Sequence, residues 1–204
     1  LAVGAYWDDG YANSQTFSGA VYLFEFADLS FSSPTLSGII GAGYTGGNNF
    51  NVPGNYGDFD EFGTSVSLNG SYLAVGAPRD DGGGSYQPSG AVYIFEFSDL
   101  NFSTPNLRSM IGSDYTGSND LNLSGIIDSG DFFGASVSLE GNRLAVGATF
   151  DRGSNNNLIR TGAVYLFEFV DSTLSTPSLS TTIGYGYTGI NNLDLSAKLA
   201  SYDY

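Results

Sequence analysis

Three observations predict an all-β protein of tandem antiparallel four-stranded blades, arranged as a β-propeller or as an open blade array. One pair of segments is written three times. LAVGA at Leu1–Ala5, Leu73–Ala77 and Leu144–Ala148 is followed by SGAVYLFEF at 18–26, SGAVYIFEF at 89–97 and TGAVYLFEF at 161–169. The LAVGA starts lie 72 and 71 residues apart, and self-similarity at a fixed period marks a repeat architecture. The repeated segments alternate with period two, and no window keeps a helical period.

Each strand follows from alternation and turn chemistry. Over 64–68, Thr64, Val66 and Leu68 face one way and Ser65 and Ser67 the other. Removing the Ser67 hydroxyl is therefore expected to cost little. Asn69-Gly70 reads as a tight hairpin in which both residues take positive φ. Leu73–Ala77 is the returning strand. Its second face is Ala74 and Gly76, small enough for another sheet to approach closely. The third strand, Ala20–Phe26, is apolar on both faces: Val21 and Leu23 on one, Tyr22, Phe24 and Phe26 on the other. Such a strand is covered on both sides. Phe24, Phe95 and Phe167 are expected to occupy one structural position. A shorter fourth strand is expected near Leu36–Ile40. IIGAGYTG, MIGSDYTG and TIGYGYTG follow, and then Asn/Asp-rich stretches.

The period divides the chain into units 1–72, 73–143 and 144–204. One unit is a small sheet that needs a neighbour against each face. The LAVGA strand occurs three times and its preceding partner strand only twice. The native object is accordingly expected to continue past both ends, as a longer chain or as a head-to-tail assembly of copies.

Composition narrows the function. The net charge is −15, with 21 Asp+Glu against 6 Lys+Arg. Every Lys and Arg lies in the last two units. This argues against nucleic acid, whose phosphates need a basic surface, and favours cation binding. No apolar run is long enough to span a membrane. The chain has no His and no Cys, which removes the commonest acid–base group and thiol chemistry. Carboxylate pairs alone would suit a glycosidase, but these acids recur with the period, as a structural rule would. No catalytic residue is assigned.

Phe62-Gly63, Gly76-Ala77-Pro78 after a hairpin, and GAVYIF at 90–95 resemble the FG-GAP repeat of integrin alpha-chain propellers. They are closer still to tandem arrays of such repeats in bacterial extracellular proteins. The resemblance implies a β-propeller or related fold, an extracellular or cell-surface location, and a role in adhesion or surface structure. The calcium loop of the integrin type does not carry over. It is an insertion between the first two strands, which here are joined by a tight turn.

Two acidic groups remain as metal candidates. Asp8-Asp9-Gly10 and Asp80-Asp81-Gly82 follow LAVGA, with Asp151-Arg152-Gly153 as the third copy. Asp58, Asp60 and Glu61, matched by Asp128 and Asp131, precede the Phe-Gly strand. Oxygen-rich loops with a glycine turn suit Ca²⁺, and the same residues suit a solvated Asp-Gly turn. Trp7, matched by Arg79 and Phe150, lies outside the repeat pattern. It either stacks on a sugar or covers its own loop. Tyr44, Tyr115 and Tyr187 read as packing residues whose hydroxyls find a partner. Glu25, Glu96 and Glu168 read as strand-end carboxylates. Asn69, Asn101 and Asn122 stand in glycosylation sequons, and the Ser/Thr-rich segments 30–37 and 172–182 would suit O-glycans. The expected function is a non-catalytic extracellular structural or adhesive repeat in a surface array or filament, with further repeats or copies as partners. The alternative is a Ca²⁺-dependent glycan-binding propeller module.

Overall fold

A computed structural model describes residues 1–53, 56–82, 88–158, 160–171 and 173–199. They form three sheets and no α-helix. The first sheet contains β1 (Ala2–Ala5), β2 (Ala20–Glu25), β3 (Thr35–Gly41) and β4 (Phe50–Asn51). The second contains β5 (Ser65–Asn69), β6 (Tyr72–Ala77), β7 (Ala91–Glu96), β8 (Asn106–Gly112) and β9 (Leu121–Asn122). The third contains β10 (Phe133–Glu140), β11 (Arg143–Ala148), β12 (Ala163–Phe169), β13 (Pro177–Gly184) and β14 (Leu193–Asp194). Strand order within every sheet follows the chain. The boundary 72/73 falls within the β5–β6 hairpin, so a structural blade begins at its Phe-Gly strand.

The expected strands are present, and three details differ. The hairpin turn is shifted by one residue. Asn69 pairs with Tyr72, so the turn residues are Gly70 and Ser71, and only Gly70 has positive φ, at 60°. Glycine first in a two-residue loop is the alternative tight-turn solution that matches strand twist; Gly141-Asn142 repeats it. The fourth strand is not short: β3 and β8 have seven residues and β13 has eight. Finally, the Asn/Asp-rich stretch supplies a fifth strand, parallel to the fourth. Its side chains hold the connection in place. Ile39, Met110 and Thr182 donate their N–H groups to Asn49, Asp120 and Asn192 at 2.9, 2.8 and 2.8 Å.

The sheets stack face to face, with one apolar core between the first and second and another between the second and third. In the middle sheet, Leu73, Val75, Tyr93 and Phe95 face the first, while Ala74, Val92, Ile94 and Ile111 face the third. Both faces of β7 are thus covered, as its two-sided apolar pattern requires. Each sheet turns its aromatic face towards the preceding sheet and its Val/Ile/Ala/Gly face towards the following one.

Candidate functional site

The junction between sheets is built by the Phe-Gly segment. It leads into the first strand of one sheet while its backbone lies on the sheet before. Phe62 pairs in parallel with Gly19, and Phe133 with Gly90. The Phe62 and Phe133 N–H groups donate to the Ser18 and Ser89 carbonyls at 2.9 and 3.0 Å. The Phe62 ring turns back into its own sheet, edge-on to Tyr93 and Phe95. The small face of β6 permits this approach. A Cβ built on Gly76 would overlap the carbonyl oxygen of Gly134, and one on Gly4 would overlap that of Gly63. The serine face of β5 also engages its neighbour. Ser65 Oγ donates to Gly134 O at 2.8 Å, and Ser67 Oγ accepts the Leu139 N–H at 2.9 Å. The expectation that Ser67 is idle is therefore corrected: its side of β5 faces the next sheet.

The same surface on the third sheet is open. It forms a groove of about 410 Å³ lined by Gly147, Ala148, Gly162, Val164 and Ile183, among others. Val164 is 38% exposed where its equivalents Val21 and Val92 are fully buried. A Cβ on Gly147 would meet only the Ser136 side chain and N–H of its own hairpin. The aromatic face of the first sheet is open as well: Leu1 and Val3 are exposed and Tyr22, Phe24 and Phe26 only half-buried. Phe24 therefore does not share the environment of Phe95 and Phe167, which are buried.

The Asp-Gly loops after LAVGA have a different occupation from the metal sites they resemble. In each blade the first Asp accepts from two tyrosine hydroxyls and from the glycine N–H two residues on. Asp80 accepts from Tyr93, from Tyr115 at 2.7 Å and from Gly82 N at 2.7 Å. Asp8 accepts from Tyr22 at 2.6 Å, Tyr44 at 3.0 Å and Gly10 N at 2.8 Å. Asp151 accepts from Tyr165 at 2.7 Å, Tyr187 at 2.8 Å and Gly153 N at 2.7 Å. Donor hydrogens thus point at the carboxylate oxygens where Ca²⁺ would have to sit, and this donor set does not fit a cation. Burial foremost, then the neighbouring Asp80 charge, holds the Tyr93 and Tyr115 phenols in their protonated form. Asp9 stands apart, its Oδ1 accepting the Phe17 N–H at 2.8 Å. Asp81 is half-buried.

The second acidic group lies in the Phe-Gly segments. Asp60 and Asp131 are buried. Each accepts a backbone N–H three residues earlier, from Gly57 at 2.6 Å and Asp128 at 2.7 Å. Burial, and next the Asp80 charge, pushes Asp60 up to about 8. Burial also dominates at Asp131, raised to about 7, where the Asp128 N–H opposes the shift and the Asp151 charge adds to it. Asp131 Oδ1 is buried without a hydrogen-bond partner. Asp128 accepts from the Asn156 amide. Among the described residues, no three acidic side chains converge as a metal site.

Glu25 accepts from Ser37 Oγ at 2.6 Å, Glu96 pairs with Arg108 at 3.4 Å, and Glu168 with Arg143 at 3.6 Å. These carboxylates are partnered at strand ends. Trp7 is 63% exposed and stacked between Tyr6 and Phe17. The segment proposed for O-glycans begins at Ser172, which lies outside the described residues, as does Tyr204. The tyrosine clamp was the part of the site hardest to read in advance. The signal for it was present, because Asp and both tyrosines recur together at matching separations in all three units.

Among the described residues, no helix is long and apolar enough to cross a membrane. No curated protein matches the chain closely enough to count as a relative. A family model described as FG-GAP repeat matches residues 52–95 and 127–167. Each match starts before a Phe-Gly segment and ends within the third strand of its sheet, so it spans the elements that build a junction. FG-GAP repeats are non-catalytic, integrin-like β-propeller repeat modules, typical of extracellular-type domains. Among its three blades, the two that follow a junction thus carry FG-GAP repeats, at residues 52–95 and 127–167.

Proposed function

We propose that this chain is a section of a non-catalytic extracellular array, structural or adhesive, that grows by head-to-tail packing of further blades. Those blades belong to the same polypeptide or to other copies. One observation carries the reading. The Val/Ile/Gly face that receives a Phe-Gly segment on the first and second sheets is present and open on the third. The aromatic face that would meet it is open on the first sheet. An uncovered apolar face of this kind favours a neighbour. The internal junctions supply the pattern of that neighbour: a backbone pairing at Gly162 and a carbonyl against Gly147.

A synthetic peptide of residues 56–70, added to the purified chain, tests this. The expected result is saturable one-to-one binding that Val164→Arg abolishes. Light scattering on the chain alone should show association that rises with concentration and falls on adding the peptide. A monomer at all concentrations that takes up no peptide would overturn the reading.

A further inference from the structure

The two junctions differ on one rim. Two positions after LAVGA stand Trp7, Arg79 and Phe150. At the second junction Phe132 and Phe150 stack with centroids 4.8 Å apart, and guanidinium groups cover both rings. Arg79 lies 5.3 Å from the Phe132 centroid and Arg160 lies 4.5 Å from that of Phe150. At the first junction Tyr6, Trp7, Phe17 and Phe59 form a chain of rings with centroids 5.2, 5.8 and 5.7 Å apart. All four are exposed, and among the described residues no cation covers any of them. Arg79 is the first basic residue in the chain, and it is held by Glu61 at 3.1 Å.

The surroundings carry the charge that a cation would need. Asp9 and Asp58 bind the backbone N–H groups of Phe17 and Thr16 through their Oδ1 atoms, at 2.8 and 2.9 Å. Both carboxylates therefore lie against the Thr16–Phe17 backbone. Among the described residues, neither Oδ2 has a protein donor. Phe17 and Phe59 hold positive φ, at 50° and 68°.

We infer that the Tyr6–Trp7–Phe17–Phe59 platform, with Asp9 and Asp58 beside it, binds an arginine-bearing segment of another protein. The guanidinium lies on the Trp7 and Phe17 faces as Arg79 and Arg160 lie on Phe132 and Phe150. The attraction combines the ring quadrupoles with the carboxylates. The site is distinct from the blade-packing groove on the third sheet and does not depend on it.

Trp7 is the only tryptophan in the chain, so its emission reports on this site alone. The probe is an end-blocked pentapeptide, Gly-Arg-Ser-Arg-Gly, titrated beside a version with both arginines replaced by citrulline. A neutral cello-oligosaccharide is the third titrant. The arginine peptide should change the emission saturably, with binding that weakens as salt is raised. The citrulline peptide should bind about 2- to 5-fold more weakly, given the strength of exposed cation–π contacts. Phe59→Gly copies the residue at the equivalent position of the second junction, Gly130, whose φ is 84°. It should fold, keep the reporter, and weaken arginine-peptide binding. Equal binding of the two peptides, unchanged binding by Phe59→Gly, or a response to the saccharide alone would overturn the assignment.

Discussion

Gly76 of β6 lies so close to Gly134 of β10 that a Cβ on Gly76 would occupy the space of the Gly134 carbonyl oxygen. The obstacle is backbone, which cannot rotate away. Gly76→Ala should destabilise the chain by about 3 kcal/mol, the upper range for overpacking. Gly147→Ala, at the equivalent place on the open sheet, meets only its own hairpin, chiefly a serine side chain, and should cost less than about 1 kcal/mol. Denaturant midpoints of the two variants measure the difference directly.

Ser67 and Ser138 occupy equivalent positions in their hairpins. Ser67 Oγ accepts the Leu139 N–H across the junction, while Ser138 is exposed. Ser67→Ala leaves that N–H without its partner and should cost about 1 kcal/mol. Ser138→Ala should change nothing measurable. Equal effects would show that the cross-sheet bond does not contribute.

Phe95 and Phe167 are buried in the two inter-sheet cores. Truncation to Ala at either should cost about 3–5 kcal/mol. Phe24→Ala should cost less than half as much, because that ring is only half-buried. Chemical denaturation of the three variants ranks them.

These comparisons show what was legible in the chain. Alternation located β5, β6 and β7, and the two apolar faces of 91–97 required a neighbour on each side. The small side chains of Ala74 and Gly76 marked the face of closest approach. The role of Ser67 was hidden, because a serine at an outward position looks the same whether it faces water or another backbone. The Asp80–Tyr93–Tyr115 clamp was hidden for a related reason: its members are brought together across three separate elements. Asp-Gly loops suit both turns and metals, and only the positions of the tyrosine hydroxyls separate the two.

Stability should fall as pH rises from mildly acid to mildly alkaline. Asp60 and Asp131 titrate at about 8 and about 7 in the folded chain, against an ordinary 3.8. A carboxyl raised on folding binds its proton more tightly in the native state. Its contribution is complete below about pH 4 and is lost as pH rises through the folded values. Melting temperature should be higher at pH 5 than at pH 8.5. Asp60→Asn keeps an acceptor for the Gly57 N–H and should flatten the dependence. A stability maximum above pH 8 would contradict the assignment.

Calcium should not act through Asp80, whose oxygens are taken by the Tyr93, Tyr115 and Gly82 donors. Melts in millimolar Ca²⁺ and in chelator should superimpose. A rise with Ca²⁺ that Asp131→Asn removes would instead place a cation on the Phe-Gly segment, where Asp131 Oδ1 lacks a partner.

The segment that covers each sheet is the next stretch of chain to be made. Phe62 follows the end of β4 by 11 residues, and Phe133 follows the end of β9 by 11. At about 5–20 residues per second, a finished sheet emerging from the ribosome would wait roughly 0.5–2 s for its cover. Each blade thus shields its predecessor in order of synthesis. Of the faces that receive a Phe-Gly segment, the one left open to a wrong partner is the newest.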